Sequence, residues 1–312
     1  MGIKIIKKLW TIFIITLLLG LTFTSYVYAS NPTITEGDEK ERWIVLICGG
    51  VEEDPLGLDR VFRIVTRQAY ETFKNLGYDD DHIYFLQGKN LSDDDEDNPP
   101  EGADGFSNKS NAKYAITSWL VDNSDENDDC FIFLIDHGSF VLEQRDSCVC
   151  IYDYVYEKEE RIWGYELAEW LDQITYNVCT VMITACEAYG FIKPLSRANR
   201  IIITSTKLEP GTASITGDFT SFFFDKLGEN VSYGEAWEYA VKKHRKIKIR
   251  DLPPGEDLED FIKIILARIG FLISNPQIDD NGDGRGHGIR RFIPSSLPVR
   301  GDGYLALSTY PS

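Results

Sequence analysis

Two short stretches decide the fold of this 312-residue chain. The first is the apolar run Phe131-Ile132-Phe133-Leu134-Ile135, which leads into Asp136-His137-Gly138-Ser139. The second is the apolar run from Val178 to Thr184, which leads into Ala185-Cys186-Glu187. Both runs have the length and composition of buried β-strands. Because open α/β sheets place reactive groups at the carboxyl ends of their strands, the sequence predicts a cysteine nucleophile and an imidazole at one sheet edge.

Outward from these two strands, the chain alternates between strands and helices. Further strands are predicted at residues 43–48, 83–86 and 201–204, with two short ones around 149–151 and 154–156. Helices are predicted at residues 60–76, 112–121, 164–174, 219–227, 233–248 and 258–269. Apolar strands separated by helices are typical of a parallel sheet covered on both faces. We therefore expect an α/β fold, a three-layer α/β/α sandwich with a mostly parallel central sheet.

The first 29 residues have the composition of an export signal. Three lysines precede an apolar run from residue 9 to about residue 26, and Val27-Tyr28-Ala29 offers small residues for cleavage before Ser30. The apolar run is long for a signal peptide, so an uncleaved membrane anchor is the alternative. In either case we expect an exported protein, secreted or anchored on the outer face of a membrane. Residues 30–275 are then the main domain and residues 276–312 a C-terminal extension.

Charge and cysteine content narrow the class of partner and the chemistry. The formal charge of −18, or −21 without the three leader lysines, disfavours nucleic acid and anionic lipid as partners. An exported chain can form disulfides, but Cys48, Cys130 and Cys179 lie in apolar strands, where a free cysteine acts as a small hydrophobe. Cys148 and Cys150 are two residues apart, which is too close for a good disulfide between them, and strand alternation points both side chains to one face. No cysteine spacing is typical of zinc sites, and the disulfide connectivity stays open.

Cys186 and His137 each have an ordinary structural alternative, because most cysteines and histidines beside strands only fill space. Cys186, however, comes directly after its strand. Glu187 begins a turn or a helix whose N–H groups favour a thiolate and can hold an oxyanion. Gly138 lets the chain turn sharply and a ligand approach closely, and its N–H is a second candidate oxyanion donor. Taken together, the two motifs favour a catalytic pair.

The two motifs resemble the caspase-like superfamily of cysteine peptidases, which includes legumains, caspases, gingipains and the transamidase that attaches glycolipid anchors. A caspase signature has its histidine about 50 residues before its cysteine, close to the 49 residues found here. The letters Asp136-His137-Gly138-Ser139 and Ala185-Cys186-Glu187 are similar to the legumain branch. The resemblance spans residues 43–227 and implies the caspase-like form of the sandwich.

This resemblance implies an exported cysteine endopeptidase. Cys186 would attack a peptide carbonyl and form a thioester acyl-enzyme, while His137 would activate the thiol or protonate the leaving amine. The N–H groups of Gly138 and Cys186 would hold the oxyanion. A peptide or protein substrate is the expected partner, and no cofactor is required. Two alternatives stay open: a transpeptidase that passes the acyl group to an amine, and a catalytically silent scaffold or binding protein.

The resemblance also implies candidates for substrate recognition. Arg60 and Asp218 match two of three legumain positions that bind the residue before the cut, whereas the third position, an acid, is Thr184 here. Asp218 can pair with a lysine or arginine side chain, or orient an asparagine amide together with Arg60. We expect cleavage after Lys or Arg, or after Asn. Ser205, just past the fifth strand, is a further candidate for substrate binding.

A third motif, residues 279–284, has the spacing of a calcium loop. Asp279, Asn281 and Asp283 fall at positions 1, 3 and 5 of an EF-hand-type loop, and Gly284 falls at position 6. Arg290 stands where position 12 requires a bidentate glutamate. A structural calcium site at Asp279, Asn281 and Asp283 and a solvated turn therefore both stay open.

Overall fold

The structure, a computed structural model, describes residues 40–50, 58–88, 99–153, 158–206, 218–244, 276–287 and 305–312. Residues 41–312 form one compact unit. The predicted leader, the second short strand at 154–156, the helix at 258–269 and the end of the helix predicted at 233–248 lie outside the described residues. Within those ranges, no helix is both long enough and apolar enough to cross a membrane.

Seven strands form the main sheet, in the order β10-β9-β8-β4-β1-β2-β3. All neighbouring pairs are parallel except β10 and β9, which are antiparallel. The strands are β1 (Arg42–Cys48), β2 (Ile83–Gln87), β3 (Gly105–Phe106), β4 (Asp129–Ile135), β8 (Val178–Thr184), β9 (Arg200–Thr204) and β10 (Gln277–Asp279). Residues 276–287, assigned from sequence to a C-terminal extension, thus supply an edge strand of this sheet.

A second, antiparallel sheet has three strands in the order β5-β6-β7. These strands are β5 (Gly138–Val141), β6 (Asp146–Asp153) and β7 (Lys158–Trp163). Strand β5 begins three residues after β4 ends, so the chain passes from the main sheet into the small sheet through His137.

The described helices cover both faces of the main sheet. One face carries α1 (Leu58–Asn75), α6 (Asp218–Leu227) and α7 (Tyr233–His244). The other face carries α2 (Lys109–Tyr114), α3 (Leu120–Asn123), α4 (Gly164–Leu171) and α5 (Ile192–Leu195), with a π-helical turn at Ala115–Trp119 joining α2 to α3. The expected three-layer α/β/α sandwich is confirmed.

Strand β4 shows why its sequence is apolar throughout. Phe131 and Phe133 face the core under α1, α6 and α7, whereas Ile132 and Leu134 face the core on the opposite side of the sheet. A parallel strand buried on both faces has no polar alternation. The same pattern was the reason for placing β1, β4, β8 and β9 from sequence, and each was confirmed within two residues.

The strands of the small sheet and the edge strands of the main sheet were less well predicted. The first short strand expected around residues 149–151 is part of β6, which is longer than expected. The structure adds β5, β3 and β10, which the sequence analysis did not assign, and places β7 after the position predicted for a second short strand. These strands are short and polar, so they lack the apolar run that identifies buried strands.

Candidate active site

His137 and Cys186 follow neighbouring strands at the same height in the sheet. Strands β4 and β8 are paired in parallel, and the last residue pair of their register is Ile135 with Thr184. Two residues beyond that pair, the two chains reach His137 and Cys186. The carboxyl ends of two adjacent parallel strands therefore carry an imidazole and a thiol at one edge, where open α/β sheets form their active sites.

The backbone around His137 is held by hydrogen bonds on both sides. The His137 carbonyl accepts a bond of 2.8 Å from the N–H of Cys150 on β6, and the His137 N–H donates to Asp136 Oδ1 at 2.6 Å. The ring of Phe62, on the first turns of α1, contacts the imidazole edge-on, with 5.3 Å between ring centroids. His137 itself is half-buried. Its backbone is thus held by β6 on one side and by the Asp136 carboxylate on the other.

Asp136 fills the space above the end of β1. Its side chain is buried, and a β-carbon added at Gly49 would collide with the Asp136 carboxylate. Gly49 therefore has to be glycine for Asp136 to lie where it does. Nothing in the sequence near β1 indicates that a carboxylate arrives here from β4.

Gly138 brings the two strand ends into contact. A β-carbon at Gly138 would lie 2.6 Å from the Cys186 carbonyl oxygen and 2.8 Å from Ala185 Cβ. Real β-carbons do not approach other heavy atoms so closely, so only glycine fits here. Sequence analysis assigned Gly138 to a sharp turn. In the structure it also lets the β5 backbone approach the backbone of Cys186.

The Gly138 N–H points away from the small sheet. Gly138 faces Val149 in the β5–β6 register, and the flanking Cys150 N–H to His137 carbonyl bond makes this a non-hydrogen-bonded pair. In such a pair both N–H groups point outward, so the Gly138 N–H lies on the outer edge of β5. The same edge meets the turn after Cys186, because the Glu187 carboxylate accepts a hydrogen bond from the N–H of Phe140. This orientation fits the predicted oxyanion role of Gly138.

The chain after Cys186 turns through a strained residue. Glu187 has a φ of +53°, in the left-handed region that non-glycine residues rarely adopt. A 3-10 turn at Ala188–Phe191 and the four-residue helix α5 follow, so no long helix begins at the cysteine. Cys186 is half-buried.

Side chains from two directions hold this turn. From β6, the Ser147 hydroxyl donates to the Glu187 carbonyl at 2.9 Å. From beyond β9, the Thr206 hydroxyl accepts from the Ala188 N–H at 2.8 Å, and the Ser205 hydroxyl bonds the backbone of Ala185 at 3.2 Å. Sequence reasoning missed Glu187, Ser147 and Thr206, since their partners are 18 to 47 residues away along the chain.

The predicted substrate-binding residues occupy different surroundings. Arg60 is exposed on the first turn of α1, and Asp218 is the first residue of α6. The two helices pack side by side, with the Ser221 hydroxyl donating to the Gln68 side chain at 2.8 Å. Ser205 is fully buried behind the Cys186 turn. A direct contact of Arg60, Asp218 or Ser205 with substrate stays a prediction.

Thr184 stands at the third predicted substrate-binding position, and its side chain is turned into the protein interior. The residue is buried, and its hydroxyl lies 2.8 Å from the Thr220 hydroxyl of α6. Where the legumain pattern has an acid, this chain therefore has two hydroxyl groups that satisfy each other. Arg60 and Asp218 stay the predicted charged groups for substrate recognition.

The loop at residues 279–284 lies beside the β10 edge of the main sheet. Buried Asp279 accepts backbone N–H groups of Gly282 at 3.2 Å and Gly284 at 3.0 Å, and the Asn281 side chain accepts the Asp283 N–H at 2.9 Å. Burial raises the pKa of Asp279. Across the described ranges, no cluster of three or more His, Cys, Asp or Glu side chains is arranged to hold a metal ion. Calcium binding at Asp279, Asn281 and Asp283 stays a prediction.

Comparison with known families agrees with this geometry. Residues 106–210, about a third of the chain, match the Peptidase C13 family, which is the legumain family. The matched stretch contains His137, Gly138 and Cys186 and extends past Ser205, whereas Arg60 and Asp218 lie outside it. Members of this family are cysteine-type peptidases, so the match identifies the chain as an enzyme of the peptide-bond hydrolase class.

Other comparisons add little. No curated protein matches the chain. Among solved structures, the chain is similar to protein GSU0716 from Geobacter sulfurreducens, with 11% sequence identity and a TM-score of 0.45. That similarity covers 69% of this chain and 90% of the other. A TM-score this low shows neither a shared fold nor a shared function.

Proposed function

We propose that this chain is an exported cysteine endopeptidase of the legumain type, with His137 and Cys186 as its catalytic dyad. The observation that carries the proposal is the β4–β8 register, which puts both residues at equal height on adjacent strand ends inside the family-matched stretch. The orientation of the Gly138 N–H toward the Cys186 turn supports it.

In this proposal the Cys186 thiolate attacks the carbonyl carbon of the scissile peptide. The carbonyl oxygen becomes an oxyanion, which the N–H groups of Gly138 and Cys186 stabilise. His137 donates a proton to the departing amine as the C–N bond breaks, leaving a thioester on Cys186. Water then attacks the thioester, regenerating the thiol and releasing the carboxylic acid. No cofactor takes part in these steps, and a calcium ion in the 279–284 loop would be structural.

We propose that Arg60 and Asp218 recognise the residue before the cut, as a basic side chain or an asparagine. The closed Thr184–Thr220 pair supports a pocket with one carboxylate fewer than the legumain pattern. Fewer acids weaken the attraction for a cation, so the charge of Asp218 decides between the two substrate classes.

A peptide library varied at the residue before the cut tests the proposal. We expect cleavage after Lys, Arg or Asn, with kcat reduced about 10³-fold or more in Cys186→Ala and unchanged in Cys179→Ala, a buried cysteine at the other end of β8. Asp218→Asn should lower cleavage after Lys and Arg more than after Asn. Equal cleavage by Cys186→Ala and the unaltered chain would refute the peptidase assignment. Product captured by an added amine would instead indicate transpeptidation.

Export rests on the first 29 residues alone. If these residues direct secretion, the protein recovered from the medium of expressing cells should begin at Ser30. Retention with the membrane fraction and an intact N-terminus would instead indicate an anchor.

A further inference from the structure

Strand β6 carries a pair of thiols beside the proposed catalytic histidine. All six cysteines lie in the described part of the chain, and none of them forms a disulfide. Cys148 and Cys150 occupy alternate positions of β6, so both side chains project from one face of the small sheet. The Ser139 hydroxyl lies 3.6 Å from the Cys148 sulfur, and the Cys150 N–H donates to the His137 carbonyl.

This pair is chemically unlike the other paired cysteines of the chain. Cys130 and Cys179 face each other across β4 and β8, but burial raises the pKa of both thiols and keeps them protonated. The pKa of Cys148 is instead lowered to about 6, because the Cys150 thiol hydrogen-bonds to its thiolate and the Ser139 hydroxyl and Arg161 guanidinium also stabilise it. The pKa of Cys150 is raised, because its proton is held in that bond and because desolvation disfavours its charged form.

The pair therefore shares one proton at neutral pH and presents a nucleophilic thiolate. Cys150 is only half-buried, so a small reagent can reach the pair. Cys148 is fully buried, so it reacts only after Cys150 has reacted with the reagent. Neither residue has a part in the proposed peptidase chemistry.

We propose that Cys148 and Cys150 form a redox-active dithiol, a modification site for small disulfides of the glutathione class, whose oxidation displaces His137 and slows the enzyme. The control of activity rests on the proposed function, whereas the thiol chemistry does not.

The chemistry balances as two successive exchanges. Cys150, the accessible member, passes the shared proton to Cys148 and attacks a sulfur of the small disulfide RSSR, forming a mixed disulfide and expelling one thiolate, RS⁻. Cys148 then loses that proton, attacks the Cys150 sulfur of the mixed disulfide and expels the second RS⁻. The two cysteines are oxidised to one disulfide, and RSSR is reduced to two RSH molecules, which take up the proton of the pair and one proton from solvent.

The geometry of β6 explains how oxidation reaches His137. Residues two apart on an extended strand have Cα atoms about 6.7 Å apart, whereas disulfide-linked Cα atoms are most often about 5.5–6 Å apart. A disulfide of the commonest length therefore draws the Cα atoms of Cys148 and Cys150 closer together along β6. Because the Cys150 N–H bonds the His137 carbonyl, the contraction pulls on the segment that carries the imidazole.

The thiol chemistry is tested without the active-site cysteine. Cys186→Ala is incubated with oxidised glutathione and analysed by mass spectrometry. We expect a product that has lost two hydrogens, with a peptide linking Cys148 to Cys150, and only a mixed disulfide at Cys150 when Cys148→Ala is added. A pair that stays reduced, or two separate glutathione adducts, would overturn the proposal.

The coupling to His137 is tested on the full enzyme. After oxidation and removal of oxidant, we expect the alkylation rate of Cys186 and the peptide cleavage rate to fall at least about tenfold relative to the reduced enzyme. Cys150→Ser should show no such fall beyond adducts at Cys186, and Cys148→Ala serves if that variant does not fold. Cys179→Ala, which keeps the dithiol, should behave like the unaltered enzyme.

Equal inhibition of the Cys150→Ser variant and the unaltered enzyme would overturn the proposed control. If the reduced enzyme cleaves no peptide, the proposed function fails, but the Cys186 alkylation rate still reports on the dithiol.

Discussion

The two strand ends that form the candidate site are held in different ways. At the end of β4, the chain runs through His137 directly into β5, and main-chain hydrogen bonds to β6 fix the backbone. At the end of β8, the chain leaves the sheet at Cys186 and turns through Glu187 in a left-handed conformation. Side chains hold that turn from outside.

This difference predicts which substitutions each strand end tolerates. A ladder of main-chain bonds survives the loss of any one side chain, so the histidine end should resist side-chain substitution, except at Asp136, whose carboxylate accepts the His137 N–H. A turn held by individual side chains weakens with each one removed. Single substitutions should therefore disturb Cys186 more than His137, except at Gly138, where the two ends meet.

Gly138→Ala should have the largest effect, because its β-carbon would collide with the Cys186 carbonyl oxygen and the Ala185 side chain. Something must move, and displacement of reacting groups by about 1 Å costs about 100-fold in rate. We expect kcat/KM to fall by about that factor. The control is Gly105→Ala on β3, where a β-carbon meets nothing closer than 3.6 Å. Comparable losses in both variants would show that the backbone contact is unimportant.

Glu187→Ala should come next, because it removes the carboxylate that accepts the Phe140 N–H. Hydrogen bonds to charged groups contribute about 1.5–3 kcal/mol, which corresponds to about tenfold or more in kcat. Glu187→Gln keeps an acceptor oxygen and should recover most of the activity. If alanine and glutamine are equally active, the carboxylate does not position Cys186.

A glycine at the same position separates backbone strain from the side-chain contact. Glu187→Gly also loses the carboxylate, but glycine adopts a φ of +53° without cost. We expect the glycine variant to unfold at a higher temperature than the alanine variant while remaining equally impaired in kcat. A lower melting temperature for glycine would argue against strain at this turn.

Ser147→Ala should have a smaller effect on the same turn. The Ser147 hydroxyl donates a neutral hydrogen bond to the Glu187 carbonyl, and its loss should cost about 1 kcal/mol of unfolding free energy. Denaturant unfolding measures this directly. Thr117→Ala, which removes an exposed hydroxyl on the π-helical turn, is the control and should change stability by less than about 0.5 kcal/mol. Equal changes would mean that the turn gains nothing from Ser147.

Phe62→Leu should change activity least, because it removes only the ring edge that contacts His137. Aromatic pairs of this kind contribute about 1 kcal/mol, so we expect kcat/KM to fall about fivefold or less. Measured beside Glu187→Ala, the variant tests whether the histidine end depends less on side chains than the cysteine end. A larger loss in Phe62→Leu than in Glu187→Ala would reverse that ranking.

The elements with strong apolar patterns were predictable. Strands β4 and β8 have continuous apolar sequences, and the predicted helix at residues 60–76 was found as α1, which ends at Asn75, shortly before the positive-φ Gly77. The predicted helix at 112–121 was found as parts of α2 and α3 with a π-helical turn between them. Periodicity indicates that a helix is present but does not show an extra residue within one turn.

The support of the site was much harder to predict. Nothing near Glu187 in sequence identifies the N–H of Phe140 as its partner, and nothing near Gly49 identifies Asp136. Strand β5 was missed because Gly138-Ser139-Phe140-Val141 is short and mixed in polarity. Such strands form because a neighbouring strand supplies hydrogen-bond partners, which is a property of the assembled sheet.

The α/β class, the buried strands and the positions of His137 and Cys186 just beyond two of them could be predicted from the sequence. They could be predicted because hydrophobic patterning and strand length are local properties. Three features are visible only in the folded structure: β4 and β8 are in register, the Gly138 N–H faces the turn after Cys186, and a thiol pair lies beside His137. Those features depend on hydrogen bonds and contacts between residues far apart in the chain, and such pairings are fixed only when the strands come together.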